Sequence, residues 1–429
     1  MNTNTVRELI IPAGLETERF LLGAGALQRV PELLKSLFPG KRPWIIGDDN
    51  TWEAAGKKLY QILEDAGLAP LPPYLFPGEP ELHGDDKYIP ELAELMQESL
   101  VPVAVGGGTI NDLVKRASFV AGIRYLCIPT ACSVDGFTSY GAALLKDGFK
   151  QTLPCPAPLG IAADTEVLNH APSKMFASGY ADLAAKIPAG ADWIIADELG
   201  IEPIREDVWE LVQKDLRAWL EAPENQEGIF LGLAATGYSM QLYRESRPAS
   251  GTEHLFAHAL EMEGLHASHG FKVALGTLAA TAMYEWLFRQ TPDEIKSKMP
   301  APRSAAERAN EVKELLKAGC YGENTAQIAM GKHPEPEECT ARREQILEHW
   351  DQLKKRTKER LIPFDTLREM FRHTGAPSCC ADLGITQEHA EHTILVAQLI
   401  RNRYTITDVL DDLGLLREAA KYAAERIAK

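Results

Sequence analysis

Short apolar runs alternate with amphipathic stretches over roughly the first 160 residues, and helical periodicity takes over beyond them. Arg42–Ile46 reads as a strand that ends in the polar turn Gly47–Thr51. Residues 52–66 follow with helical spacing and stop at Gly67. Leu71–Phe76 is the next extended segment, and residues 85–98 suit an amphipathic helix. Val101–Val105 is a continuous apolar run of the kind buried on both faces, followed at once by Gly106, Gly107 and Gly108 and a helix that includes Leu113 and Val114. Tyr125–Ile128 is a further strand, closed by Pro129. Strand and helix in alternation predict a parallel sheet with crossover helices.

Beyond about residue 165 strand candidates become few. Residues 173–197, 206–221, 226–245, 251–263 and 270–289 predict helices. Residues 290–345, rich in Pro, Lys and Glu, predict helices joined by exposed loops, and 386–402 and 407–428 close the chain as helices. The change near Ile161–Asp164 is a shift of composition and not a flexible linker. The expected fold is therefore an α/β N-terminal Rossmann-like parallel-sheet domain over residues 1–164, followed by an all-α C-terminal domain over 165–429.

Composition narrows the partners. With 45 Lys+Arg against 61 Asp+Glu the net charge is −16, which argues against nucleic acid or an anionic membrane. No apolar run is long enough to span a membrane, and Met1–Leu22 mixes Arg7, Glu8, Glu16, Glu18 and Arg19 into its apolar residues, unlike a signal peptide. The seven cysteines are odd in number, form no CxxC pair and include the vicinal Cys379 and Cys380. Reduced thiols and a cytoplasmic location follow as expectations.

Five constellations carry chemistry. Gly106, Gly107 and Gly108 between a strand and a helix put backbone N–H groups and the positive end of a helix dipole at one point. That favours a phosphate or pyrophosphate over a mere packing turn, although the spacing is not GxGxxG. Asp48, at the end of an earlier strand, could hold a ribose, but among the capping residues Asp49, Asn50 and Thr51 it reads first as a helix N-cap. Thr130, Ser133 and Asp135 follow another strand end, where parallel sheets bind ligands, with Ser139 four residues past Asp135; a plain polar turn fits them too. Asp182 stands in an alanine-rich apolar helix, which calls for a metal or an ordinary i,i+4 partner such as Lys186.

His254, His258 and His269 lie between the breaks at Gly251 and Gly270, and His254 and His258 share a helix face. An aspartate with two histidines and one position left for substrate is a catalytic zinc-type set, equally acceptable to Ni²⁺ or Fe²⁺. His266, His333, His349, His373, His389 and His392 read as surface or satisfied core residues.

Taken together, Val105–Asp112, Pro129–Gly136, Gly179–Lys186, Ser250–His254 with His258, His269–Gly276 and Arg403–Leu410 resemble, in order, the sn-glycerol-1-phosphate dehydrogenase family. That family belongs to the superfamily of iron-containing alcohol dehydrogenases, glycerol dehydrogenases and dehydroquinate synthases. The resemblance implies a dehydroquinate synthase-like fold and a place in phospholipid metabolism. It implies that Gly106, Gly107, Gly108, Thr109 and Ile110 cradle the pyrophosphate of NAD or NADP. Thr130, Ala131, Cys132, Ser133 and Ser139 would line the nicotinamide side, and Asp48 would hold the adenosine ribose, where its charge leans towards NAD. Asp182, His254 and His269 would bind one divalent metal, Zn²⁺ or Ni²⁺. Asp135, Asp182 and His258 would contact the substrate, with Asp135 and His258 as the catalytic pair. The implied reaction is reduction of dihydroxyacetone phosphate to sn-glycerol 1-phosphate, on a small phosphorylated triose or polyol, with Lys186 and Lys272 as candidates for its phosphate. Monomer and homo-oligomer both stay open. Alternatives within the resemblance are a glycerol dehydrogenase or a dehydroquinate synthase-like cyclase, and outside it a non-catalytic nucleotide-binding sensor. Residues 290–380 match loosely, and no role is carried over to them.

Overall fold

Seven strands form one sheet in the computed structural model, which describes residues 6–80, 82–146, 149–317, 321 and 323–429. The strands are β1 (Arg7–Glu8), β2 (Arg19–Leu22), β3 (Arg42–Asp48), β4 (Leu71–Phe76), β5 (Leu100–Gly106), β6 (Leu126–Pro129) and β9 (Gly160–Ala163), with a separate antiparallel hairpin of β7 (Ala142–Lys146) and β8 (Phe149–Leu153). The sheet order is β1-β2-β9-β6-β5-β3-β4. All neighbours pair in parallel except β1 with β2, so the expected parallel sheet is in fact mixed at one edge. Every residue of β5 is buried, as its unbroken apolar run requires for a strand covered on both faces. Pro72 and Pro73 fall on β4, the opposite edge, where the pairing with β3 shifts register between Trp44 and Ile46, and they discourage further strand addition. The core under the sheet joins Leu27, Val30 and Leu33 to Ile45, Leu59, Leu63, Val103, Val105 and Ile128. Each such side chain contributes about 1.5–3 kcal/mol on full burial.

The chain divides into two compact units: Met1–Leu183 with Arg217–Glu245, and Ala184–Leu216 with Ser246–Lys429. The first contains the sheet, and the second is helical. The helix His269–Leu287 is buried at every position from Lys272 to Tyr284, so it is the central post of the second unit. Thr252–Met262 packs on it at Gly276, where a Cβ would run into the backbone of Glu253.

Several expected helices are broken, two of them at a residue that explains the break. Residues 173–197 form Ser173–Ala184 and Lys186–Glu198, because Pro188 offers no N–H and its ring opposes the carbonyl of Ala184. Residues 407–428 form Ile406–Asp412 and Leu416–Ile427, parted at Gly414 with φ +73°. Residues 206–221 form Glu206–Gln213 and Leu216–Glu221. In 290–345 the helices are Pro292–Lys298, Ala305–Leu316, Glu323–Gly331 and Pro336–Glu348. Among the described residues no helix is long and apolar enough to cross a membrane. The six described cysteines are free, and Cys320 lies outside the described residues.

Candidate active site

Strand β5 delivers the glycine triplet to the start of the helix Gly108–Val120. None of the three glycines has a positive φ, so conformation is not why they are glycines. A Cβ on Gly106 would lie 2.6 Å from Cβ of Ile110, and one on Gly108 would lie 2.7 Å from Cγ2 of Val134. These two are packing glycines. Gly107 is different: a Cβ there meets only Met175 Cε at 3.6 Å, an ordinary contact. Gly107 is the N-cap, and no side chain caps the helix. The first turn's N–H groups are therefore left for an anion. Ile110 turns its side chain onto Gly106, so its part in holding a ligand is confined to its backbone.

The loop after β6 lies on that turn. Gly106 pairs with Pro129, and the Thr130 N–H donates to the Gly106 carbonyl at 3.1 Å. Thr130, Ala131, Cys132, Ser133 and Ser139 are all buried. Burial pushes the Cys132 thiol well up, which leaves it inert. Two helices clamp the loop through glycine. A Cβ on Gly179 would collide with the Cys132 carbonyl, and one on Gly237 with Thr138. The buried Lys115 then ties the loop from below, with its Nζ 2.9 Å from the carbonyls of both Gly136 and Gly141 and 3.4 Å from Ser139 Oγ. Asn111 adds a bond to the Gly136 carbonyl at 3.0 Å. Asp135 opens the short helical turn Asp135–Phe137, and its N–H donates to Asp182 Oδ2 at 3.0 Å. Asp48 is a true N-cap: it accepts from the Thr51 N–H at 2.8 Å, and the Thr51 hydroxyl answers in a capping box.

In the helical unit the three histidines form one cluster. Ring centroids are 5.3 Å apart for His254 and His269, 5.9 Å for His258 and His269, and 6.3 Å for His254 and His258. Each Nδ1 faces a carboxylate oxygen: His254 on Glu253 at 2.8 Å, His258 and His269 on the two oxygens of Glu261 at 3.0 Å each. A carboxylate can only accept, so the proton sits on Nδ1 and the lone pair on Nε2. That is the tautomer a metal ligand needs, fixed by an outer carboxylate. Burial pushes the His258 pKa down to about 3, against the bond to Glu261 that raises it, so this ring is neutral at pH 7.

The helix that carries His254 is itself held by a buried carboxylate. Asp192 accepts from the Thr252 N–H at 2.7 Å, the Ile406 N–H at 2.9 Å and the Tyr284 hydroxyl at 2.7 Å. Burial, with Glu253 nearby, raises its pKa to about 6.

Asp182 is fully buried on the last turn of Ser173–Ala184, a helix whose final residue already belongs to the second unit. Asp182, His254 and His269 each offer one ligand atom, and these atoms lie within 4.8 Å of one another. Two imidazole nitrogens and one carboxylate oxygen suit a divalent cation with a position to spare for substrate.

The family model described as iron-containing alcohol dehydrogenase matches residues 21–172. A glycerol-1-phosphate dehydrogenase [NAD(P)+] of Geobacillus stearothermophilus is 30% identical over 412 residues, covering 92% of this chain and 93% of that protein. The chain belongs to the glycerol-1-phosphate dehydrogenase family. Another member, from Halalkalibacterium halodurans, is 34% identical over 288 residues, 63% of this chain and 71% of that one. A solved glycerol dehydrogenase from Schizosaccharomyces pombe shares the fold, with a TM-score of 0.59 at 14% identity over 98% of this chain and 93% of that chain.

In this family member the structure groups Asp182, His254 and His269, and places His258 in the same imidazole cluster. Lys272 is committed elsewhere: its Nζ lies 3.3 Å from Glu261 and 3.5 Å from the Leu265 carbonyl. Sequence reasoning missed the roles of Glu253, Glu261, Asp192 and Lys115. Glu261 carried a signal, since it sits three residues after His258 and seven after His254, on their helix face. The other three had none beyond an ionisable residue among apolar neighbours.

Proposed function

We propose that this chain is a metal-dependent, NAD(P)-linked glycerol-1-phosphate dehydrogenase that reduces dihydroxyacetone phosphate to sn-glycerol 1-phosphate and runs the reverse reaction. The observation that carries this reading is the histidine cluster with all three Nδ1 atoms locked onto carboxylates, joined to an aspartate in ligand range. The family supplies the substrate and cofactor, through the activity named for the Geobacillus stearothermophilus relative.

In this reading residues 1–164 serve the cofactor and 165–429 the metal and substrate. Asp182, His254 and His269 hold one divalent cation, Zn²⁺ or Ni²⁺. Gly107 and the N–H groups of Gly108, Thr109 and Ile110 receive the pyrophosphate. Asp48 takes the ribose, and the loop from Thr130 to Ser139 shapes the nicotinamide side. Bound there, the cation and NAD(P)H supply Lewis-acid polarisation of the substrate carbonyl and the hydride.

The chain's own residues do the rest. Asp135 and Asp182 orient the triose hydroxyls, and the bond between them keeps the Pro129–Ser139 loop in register. His258 Nε2 takes the C2 hydroxyl proton in oxidation and returns it in reduction. Because burial disfavours its imidazolium, His258 passes a proton on and does not store it. We place the reaction in the cytoplasm, in line with the free cysteines.

The test is NADH and NADPH oxidation with dihydroxyacetone phosphate after loading with Zn²⁺ or Ni²⁺, with metal content measured alongside. The expected product is sn-glycerol 1-phosphate. Turnover with glycerol or dihydroxyacetone alone would move the assignment to a glycerol dehydrogenase. Phosphate release from a seven-carbon sugar acid phosphate without net NADH change would move it to a cyclase, and a protein that retains no metal would be a nucleotide sensor.

A further inference from the structure

The segment that follows the helix Gln387–Ala397 runs beside the helix of His254 and His258. Ile400 shares an apolar cluster with Leu255 and Ala259. Arg403 donates to the Ser250 carbonyl at 2.8 Å and to Ser246 Oγ at 3.1 Å. Arg401 lies between these two anchors. Its backbone is fixed by Lys332, whose Nζ donates to the carbonyls of Gln398, Arg401 and Arg403 at 2.9, 3.2 and 3.2 Å while pairing with Asp408 at 2.7 Å. Arg308 holds the Gln398 side chain, which in turn donates to Asp408.

The guanidinium of Arg401 has no such anchor. It is part-buried, and among the described residues no carboxylate pairs with it and no acceptor bonds it. Burial pulls its pKa down, and the one anion whose field reaches it is Glu261, both of whose oxygens already serve His258 and His269. Its own charge bears on His258. A part-buried guanidinium on a fixed stretch of backbone, with no carboxylate to itself, is costly inside a protein. The cost is met when a ligand brings the anion.

We propose that Arg401 binds the phosphate dianion of the substrate and so sets the preference for a phosphorylated over a free triose. The guanidinium fork matches two phosphate oxygens. Lys332 is its positioning residue, and through it the helices between residues 290 and 345 acquire a role, since they supply the clamp that aims Arg401. This proposal rests on the dehydrogenase reading for the identity of the phosphate ester, but not for the existence of the phosphate site.

The experiment compares wild type, Arg401→Gln and Arg401→Lys, all metal-loaded, with dihydroxyacetone phosphate and with dihydroxyacetone. NADH binding by fluorescence checks the fold, and inorganic phosphate is a separate probe by thermal shift. For Arg401→Gln the expected result is a fall of about a hundredfold in kcat/KM for dihydroxyacetone phosphate, with dihydroxyacetone changed less than about threefold. NADH and NADPH affinities stay at the wild-type value, which separates the substrate phosphate from that of the cofactor. The rise in Tm that inorganic phosphate gives the wild type disappears. Arg401→Lys, which keeps the charge but loses the fork, falls about tenfold and covers the case in which the glutamine variant does not fold. An equal loss on both substrates overturns the proposal, since a phosphate contact cannot act on a substrate without phosphate. So does an unchanged kcat/KM in either variant. If the wild type fails to reduce dihydroxyacetone phosphate yet shows an Arg401-dependent thermal shift with phosphate, the dehydrogenase reading falls and the phosphate site stands.

Discussion

The glycine turn of the sheet unit and the histidine cluster of the helical unit are built from different material. At the end of β5 the chain presents backbone. Its selectivity lies in what is missing, a Cβ at Gly107 and a cap at the start of Gly108–Val120. On Thr252–Met262 and the start of His269–Leu287 the chain presents side chains, each oriented by a second side chain. A backbone site is positioned by the fold and needs few dedicated helpers. A side-chain site has rotamers and tautomers to fix, and it recruits Glu253, Glu261 and Asp192 to fix them. The two should therefore fail differently when mutated.

The largest effect belongs to a proposed ligand. His254→Ala should lose its metal on dialysis and lower kcat/KM at least about a thousandfold, the several kcal/mol that Lewis-acid catalysis supplies. NADH affinity should stay within about twofold, because the glycine turn does not involve this residue. Full metal content with activity near wild type would break the comparison at its root.

Next comes Asp192, which touches no ligand but holds the helix that does. Asp192→Ala strands the N–H groups of Thr252 and Ile406 and the Tyr284 hydroxyl, at a cost of about 3 kcal/mol in denaturant unfolding. The residue also leaves a pH signature. Burial raises its folded pKa to about 6, above the roughly 3.9 of an unfolded aspartate. The folded chain thus holds this proton more tightly. Its contribution is fully present below about pH 4 and is lost as pH rises through 6. Asp192→Asn should remove that slope between pH 4 and 6; an identical slope in the variant would mean another group carries it.

Glu261→Gln should weaken metal affinity by about 10–100-fold, the usual cost of losing an outer-shell carboxylate. It also removes the charge that Lys272 Nζ faces at 3.3 Å. Isothermal titration with Zn²⁺ would read the change, and affinity equal to wild type would show that His269 needs no orienting partner.

These dependencies mark what the sequence could and could not disclose. β3, β5 and β6 were legible because a parallel strand buried on both faces leaves an unbroken apolar run. β2 and β9 were not: β2 opens on Arg19 in a stretch of mixed charge, and Gly160-Ile161-Ala162-Ala163 has little of the β-branched character that marks a strand. The residues proposed as ligands stood out through spacing and family resemblance. Their helpers were not, because a glutamate beside a histidine looks like any solvated helix face until burial is known. Lys115 is the sharpest case: nothing about a lysine after Leu113 and Val114 announces a role, and the fold buries it among carbonyls.

The smallest effect is the finest discriminator, and it lies within one triplet. Gly107→Ala meets no obstacle, so the folded state should keep its Tm within about a degree. The added methyl occupies the space through which a pyrophosphate approaches, and NADH affinity should fall about tenfold. Gly108→Ala drives a methyl against Val134 and should lower stability by about 1–2 kcal/mol, an overpacking cost. Its cofactor loss should follow only from that shift of the Val134 loop. A thermal melt and an NADH titration on both variants are enough. If Gly107→Ala melts early and binds normally, the glycine at 107 serves packing like its neighbours, and the backbone-built site of the sheet unit has to be sought elsewhere along the strand ends.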